Sequence, residues 1–256
     1  MGTGLAIVCS VLGHPFVAVM SAGNSPERAR MMRALGADVV LVPQQPDSTK
    51  GEVSGADLQL VEEETQRLTG ERKAFRADQF LRPGNADAHY SGTAAEIYRQ
   101  ADGDLQAFCD FAGSGGTFAG CARYFREQDA DIRCYLVEPA GAEALGAGDT
   151  GSPRHPIQGG GYNLAALQQL DGVAPQACLA VSAEEAIVTA RRLAAEEGIF
   201  AGYSSGANVA AAVQLLCGAE RGNTIAVIIC DSGLKYLSTS LWPDNEKVSA
   251  GMHRSG

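Results

Sequence analysis

The sequence predicts an α/β protein built on a mostly parallel sheet wound by helices. Short apolar runs alternate with helical stretches, as at 16–20, 25–35 and 38–43, the order typical of such a sheet. A second observation is the apolar run 105–111, which turns through Gly113-Ser114-Gly115-Gly116-Thr117 into an amphipathic stretch, 117–127. A third is the run 224–230, apolar throughout, as expected of a strand covered on both faces.

Taken in order, residues 2–13 are small and apolar and predict a helix, followed by a short buried strand at 16–20. Ser25 is placed to cap the next helix, with Pro26 at its first position and Glu27 in its first turn; it stops at Gly36. Residues 38–43 supply a strand. The chain thus opens on a helix where a parallel sheet normally opens on a strand, so the expectation is a chain without its natural beginning. Residues 57–69 predict a polar helix, 76–85 a loop between lobes, and 89–100 a helix. After the central strand and glycine turn come a buried strand at 132–137, ending on Glu138-Pro139, and a glycine-rich functional loop at 141–161. Ser182 with Glu185 forms a capping box that opens a helix to about residue 197. Residues 200–203 lead into Ser204-Ser205-Gly206, where the serines read as helix caps, and an alanine-rich helix over 207–216. The tail after Trp242 is polar and expected to fray.

Bulk properties narrow the function. With 256 residues, 45% hydrophobic and 20% charged, the chain has ample material for a core. The formal charge of −10 argues against nucleic acid, which needs a basic face. No apolar run reaches membrane-spanning length and no signal peptide opens the chain, so a cytoplasmic protein is expected. The seven cysteines form no C-x-x-C pair and sit mostly in apolar runs, which reads as buried reduced thiols; no metal site is expected.

The chemistry concentrates at strand ends. A strand that turns through glycines into a helix start presents unpaired N–H groups and a positive dipole end to an anion, and Thr117 adds a hydroxyl. Two other strand ends, Ser204-Ser205-Gly206 and Asp231-Ser232-Gly233, carry small hydroxyl or glycine residues, and ligands of open parallel sheets bind at such ends. A dinucleotide is the rival ligand. Glu138 is spaced for a ribose contact, but the third glycine of G-x-G-x-x-G is replaced by Phe118. A Ser–His–Asp triad has no supporting context.

These motifs, with others in the same order, resemble the cysteine synthase and cystathionine β-synthase family of pyridoxal-phosphate enzymes. Gly113-Ser114-Gly115-Gly116-Thr117 is similar to its phosphate loop. Gln79-Phe80, Pro83-Gly84-Asn85 and His89 resemble its Q-F-x-N-P-x-N…H segment, and His155-Pro156-Ile157-Gln158-Gly159 its H-x-I-Q-G loop. Residues 200–207 resemble its second glycine-serine turn, and Ser232-Gly233 with Tyr236-Leu237-Ser238-Thr239 its closing segment. The resemblance implies two open, mostly parallel sheets of the tryptophan synthase β-like type (fold type II), with the N-terminal portion missing. It implies a remnant of a smaller, mobile α/β domain over 1–76, a larger cofactor-binding domain over 77–242, and a flexible tail over 243–256.

The resemblance also implies roles. Pyridoxal 5′-phosphate would be held by Gly113, Ser114, Gly115, Gly116 and Thr117 at its phosphate, with Gly159 letting a loop pass close. Ser232 would bond the pyridine nitrogen through a hydroxyl too weakly acidic to protonate it, which suits β-elimination and replacement. Gln79 and Gly2 would contact the substrate carboxylate. Asp231, the competing candidate for the ring, reads as a solvated residue on the other face of the strand end. Met1-Gly2 falls on the last two positions of the family's S-G-N-T-G turn, and no residue corresponds to its Schiff-base lysine. Lys50, Lys73, Lys235 and Lys247 all read as surface lysines, so no catalytic residue is assigned.

The implied activity of the complete protein is β-replacement on an activated serine, O-acetylserine plus sulfide giving cysteine, with this chain inactive alone. A cystathionine β-synthase-like enzyme and a non-catalytic paralogue acting as a regulatory partner are the alternatives. The implied partners are an amino-acid substrate and a thiol or sulfide, with a homodimer possible for this fold and neither nucleic acid nor membrane involved.

Overall fold

The computed structural model describes residues 1–49, 51–148, 155–162 and 164–242. The expected tail at 243–256, part of the 141–161 loop, Lys50 and Lys247 lie outside them.

Two parallel sheets organise these residues. The smaller pairs β1 (Val17–Ser21) with β2 (Asp38–Val42), Val17 opposite Asp38. Helix α2 (Pro26–Ala34) makes the crossover, α1 (Gly2–Leu12) packs on α2, and α3 (Gly55–Glu71) covers the strands. Ala6, Ala18, Ala29, Met32, Ala37 and Val39 form the small core there. A capping box opens α3 at Ser54, where the Asp57 carboxylate accepts the Ser54 N–H at 2.9 Å. That start lies earlier than the sequence indicates.

The larger sheet runs β5-β4-β3-β6, with β3 (Ala107–Phe111), β4 (Arg133–Pro139), β5 (Ala177–Val181) and β6 (Ile225–Val227) all parallel. Helices α4 (Gly84–Ala88), α5 (Ala95–Ala101) and α6 (Gly116–Gln128) contribute to the core on one face. Helices α8 (Ala183–Glu197) and α9 (Tyr203–Leu216) contribute to the core on the other. The expected helix at 89–100 begins as a π-helical turn, His89–Ala94, continuous with α4 and α5. A short helix α7 (Ala144–Ala147) follows β4.

Several expectations are corrected. Strand β5 has no counterpart among the expected strands: its run Ala177-Cys178-Leu179-Ala180-Val181 is apolar but short, and two of its five residues are alanines, which do not favour a strand. The final strand is shorter than 224–230 and only half-buried, since it too lies at an edge. Ser25 occupies the N-cap of α2 but does not cap it; its hydroxyl donates to the Lys235 carbonyl at 2.5 Å. Gly202 is the N-cap of α9, so Ser204 and Ser205 lie inside its first turn and are buried. There the Ser205 hydroxyl accepts the Cys230 N–H at 2.9 Å.

Candidate functional site

Strand β3 delivers the chain into the glycine turn at its carboxyl end. Gly115 takes the left-handed conformation, φ 83°, and becomes the N-cap of α6, a geometry glycine adopts without steric penalty. Among the described residues, the N–H groups of Ser114 through Phe118 have no protein acceptor. Unsatisfied donors at a helix start, with the dipole behind them, suit a phosphate.

A scaffold stands close behind the turn. The Asn85 amide donates to the Ser114 hydroxyl at 2.9 Å and to the Gln79 carbonyl at 2.8 Å. A side chain on Gly116 would collide with Asn85. His89, set by the π-helical turn, places Nε2 at 3.1 Å from the Thr117 hydroxyl and Nδ1 at 3.0 Å from that of Thr93. Burial lowers the His89 pKa, favouring the neutral ring. If Nε2 carries the proton, it donates to the Thr117 oxygen and leaves the Thr117 proton free for an anion.

The 155–162 loop closes the other side. Gly159 has φ 113°, and its carbonyl oxygen would lie 2.8 Å from a Cβ on Gly113. His155 Nε2 lies 3.0 Å from the Gly161 carbonyl and pins the loop. Gly113–Thr117, Gly159 and the Gln79 backbone therefore form one cluster. Ser232 follows β6, the strand beside β3, where it pairs with Ala201 in an isolated bridge. Its exposed hydroxyl accepts the Leu234 N–H at 3.2 Å and keeps its own proton to donate. Gly2 lies against Met32 of α2.

Two residues are placed differently from expectation. Asp231 is not solvated: its side chain is 11% exposed, accepts the Tyr236 hydroxyl at 2.9 Å and lies 3.4 Å from Lys235 Nζ. Lys235 is correspondingly no surface lysine, at 19% side-chain exposure. Lys73 is exposed as expected. The dinucleotide reading loses its ribose ligand, because Glu138 is buried and accepts the Leu145 and Gly146 N–H groups at 2.9 Å each. Asn85 and His89 had a sequence signal in their motif but no assigned role; Arg28, which reaches Tyr236 from α2, had none.

A parallel-sheet protein with a rigid N–H cradle at one strand end and a hydroxyl at the next belongs to the class that binds phosphate-bearing cofactors. The chain belongs to the pyridoxal-phosphate dependent enzyme family, whose model matches residues 1–231, and pyridoxal 5′-phosphate is the cofactor of that family. It is 37% identical to cysteine synthase 3 of Caenorhabditis elegans over 95% of this chain and 69% of that protein. It is 36% identical to cysteine synthase A of Escherichia coli K12, over 95% and 75%. Among solved structures it is similar to a lysine-to-alanine mutant of O-ureido-L-serine synthase with O-ureido-L-serine bound. That likeness has 33% identity and a TM-score of 0.85, covering 100% of this chain and 77% of the other. The fold is thus fold type II, and the chain is cysteine synthase-like. Among the described residues no helix is long and apolar enough to cross a membrane.

Proposed function

We propose that this chain holds pyridoxal 5′-phosphate between the glycine turn and Ser232 and serves β-replacement on an activated serine. The incoming group would be sulfide, as in cysteine synthesis from O-acetylserine. The observation that carries this is the set of unpartnered N–H groups at Ser114 to Phe118, backed by Asn85 and His89. Bare backbone at Gly113 and Gly116 lets the Gly159 carbonyl and the Asn85 side chain pack directly against the turn.

In this reading Gly113 to Thr117 bind the phosphate dianion and Thr117 donates its hydroxyl proton to it. Gly159 lets its loop pass beside the turn. When bound, the cofactor supplies an electron sink for carbanion chemistry at the substrate α-carbon. Ser232 donates a hydrogen bond to the ring nitrogen without protonating it, which moderates that sink. Gln79 and the α1 start at Gly2 orient the substrate carboxylate. Residues 1–76 act as a smaller lobe against 77–242.

No lysine of this sequence corresponds to the family's Schiff-base position, and Lys235 is engaged with Asp231. We therefore assign cofactor binding without a covalent link and little turnover by this chain alone. The solved mutant with a lysine replaced by alanine still holds O-ureido-L-serine, which supports ligand binding without a full complement of lysines. The test is a spectrophotometric titration with pyridoxal phosphate, followed by borohydride reduction and peptide mass spectrometry. The expected result is saturable binding, weakened by Thr117→Ala, with no reduced adduct. Absence of binding, or a modified Lys235, would overturn the assignment. Sulfide and homocysteine assays with O-acetyl-L-serine report any residual activity and its thiol preference.

A further inference from the structure

One turn of α2 reaches across to both loops that flank the cofactor cradle. The Ser25 N–H donates to the Gln158 side chain at 3.3 Å, and the Ser25 hydroxyl to the Lys235 carbonyl at 2.5 Å. The Glu27 carboxylate accepts the Ser238 N–H at 3.0 Å and its hydroxyl at 2.9 Å. Arg28 donates to the Tyr236 hydroxyl at 2.6 Å, stacks over that ring at 5.1 Å and lies 3.6 Å from Asp231. Tyr236 in turn donates to Asp231 at 2.9 Å.

The Ser25–Gln158 bond and the Arg28–Asp231 pair join residues far apart in the chain and end beside pocket residues. Gln158 precedes Gly159, which abuts Gly113. Asp231 precedes Ser232. The Asp231 side chain is confined as well, since a Cβ on Gly202 would collide with its Oδ1 and with Tyr236. A carboxylate held by a tyrosine and two cations in a mostly buried setting has few alternative positions, and truncating one partner leaves the others uncompensated.

The geometry points to Ser25, Glu27 and Arg28 as a positioning clasp: they fix Gly159 and Ser232 relative to each other and couple α2 to cofactor binding. This rests on the reading of the glycine turn and Ser232 as the two ends of that cofactor. Coupling between two equilibria is reciprocal. If an intact clasp tightens cofactor binding by some factor, bound cofactor must tighten the clasp by the same factor.

Hydrogen exchange over 155–162 and 231–240, with and without pyridoxal phosphate, tests this alongside cofactor titration. Arg28→Ala is expected to speed exchange in both segments and to weaken pyridoxal phosphate binding roughly tenfold, while saturating pyridoxal phosphate slows exchange in both segments of the wild type by a factor matching that loss of affinity. Glu27→Gln and Arg28→Lys give smaller shifts in the same directions and carry the test if Arg28→Ala does not fold. Thr117→Ala is expected to weaken binding without changing exchange in the free protein. Exchange that changes only within α2, or cofactor-induced slowing of wild-type exchange unrelated in size to the loss of affinity, would overturn the clasp. If wild-type protein binds no pyridoxal phosphate, the cofactor reading and the coupling fall together; faster exchange in both segments then leaves a purely structural clasp, and unchanged exchange removes that too.

Discussion

Gly120 in α6 offers a sharp test of the scaffold behind the glycine turn. A Cβ there would collide with the Ala86 carbonyl and come within 2.8 Å of His89 Cβ and of the Tyr90 amide nitrogen. Two of those atoms are backbone and cannot rotate away. Overpacking of this kind costs about 1–3 kcal/mol, and the rigid neighbours place Gly120→Ala at the upper end. Better helix propensity returns about 1 kcal/mol, leaving a net loss of about 2 kcal/mol. Gly4 in α1 is the matched control, because a Cβ there meets nothing within 4 Å. Gly4→Ala should therefore be neutral or stabilising, by up to about 1 kcal/mol. Urea unfolding measures both; at a slope of about 3 kcal/mol/M, Gly120→Ala lowers the midpoint by roughly 0.7 M with the slope unchanged. If both variants moved in the same direction, α6 could not pack against 84–90 as closely as described.

Further outcomes follow from buried groups and their partners. Glu220 is 0% exposed and bonded by Arg133, Tyr135 and Asn223, which hold its carboxyl down at about 2. Its stabilisation is present above the ordinary carboxylate range and lost as pH falls toward 2; Glu220→Gln should flatten the acid limb of a denaturation profile. Arg133→Ala should cost about 2 kcal/mol, discounted for the one-third exposure of that arginine. Asp110, buried in β3, has its carboxyl pushed up to about 7 by burial. Here the sign reverses: its folded state favours the neutral acid, so stability falls as pH rises from the unfolded carboxylate range to about 7. Asp110→Asn should match wild type near pH 4 and exceed it at pH 8 by an amount on the order of a few kcal/mol. Burial also pushes up the thiols of Cys109, Cys121 and Cys134; brief alkylation of native protein should label exposed Cys217 and spare those three, as read by peptide mass spectrometry.

Much of this was legible in the residues because the signals were local. The capping box at Ser182 and Glu185 and the strand–glycine–helix turn each lie within a few residues and need no partner. What escaped the sequence depends on distance or depth. Asp231 looks like a strand-end carboxylate until Arg28, from the other sheet's crossover helix, comes within 3.6 Å. Lys235 looks like a loop lysine until that same carboxylate draws it in. Ser25 has the position and chemistry of a cap, yet its hydroxyl finds a carbonyl 210 residues away. Strand β5, Ala177-Cys178-Leu179-Ala180-Val181, is a short apolar run with two alanines that lies directly before the Ser182 cap, so its residues suit the approach to a helix as well as an edge strand. His89 could be found only as part of a motif, since its purpose depends on Thr117 across the packed helices.

The position of β6 bears on how the molecule is made. Strand β3 pairs with β4 a short way along the chain, but Ala107 pairs with Ile225, and Ser232 follows only after that strand. A ribosome releasing this chain would expose the glycine turn and its Asn85–His89 backing early. The opposite end of the pocket emerges only much later, after β6, and closing so long an intervening loop is slow relative to local pairing. Until then β3 has one edge unpaired, and the cradle has no second wall. Cofactor present while β3 is still unpaired on that side meets only half a pocket, and full retention must await β6.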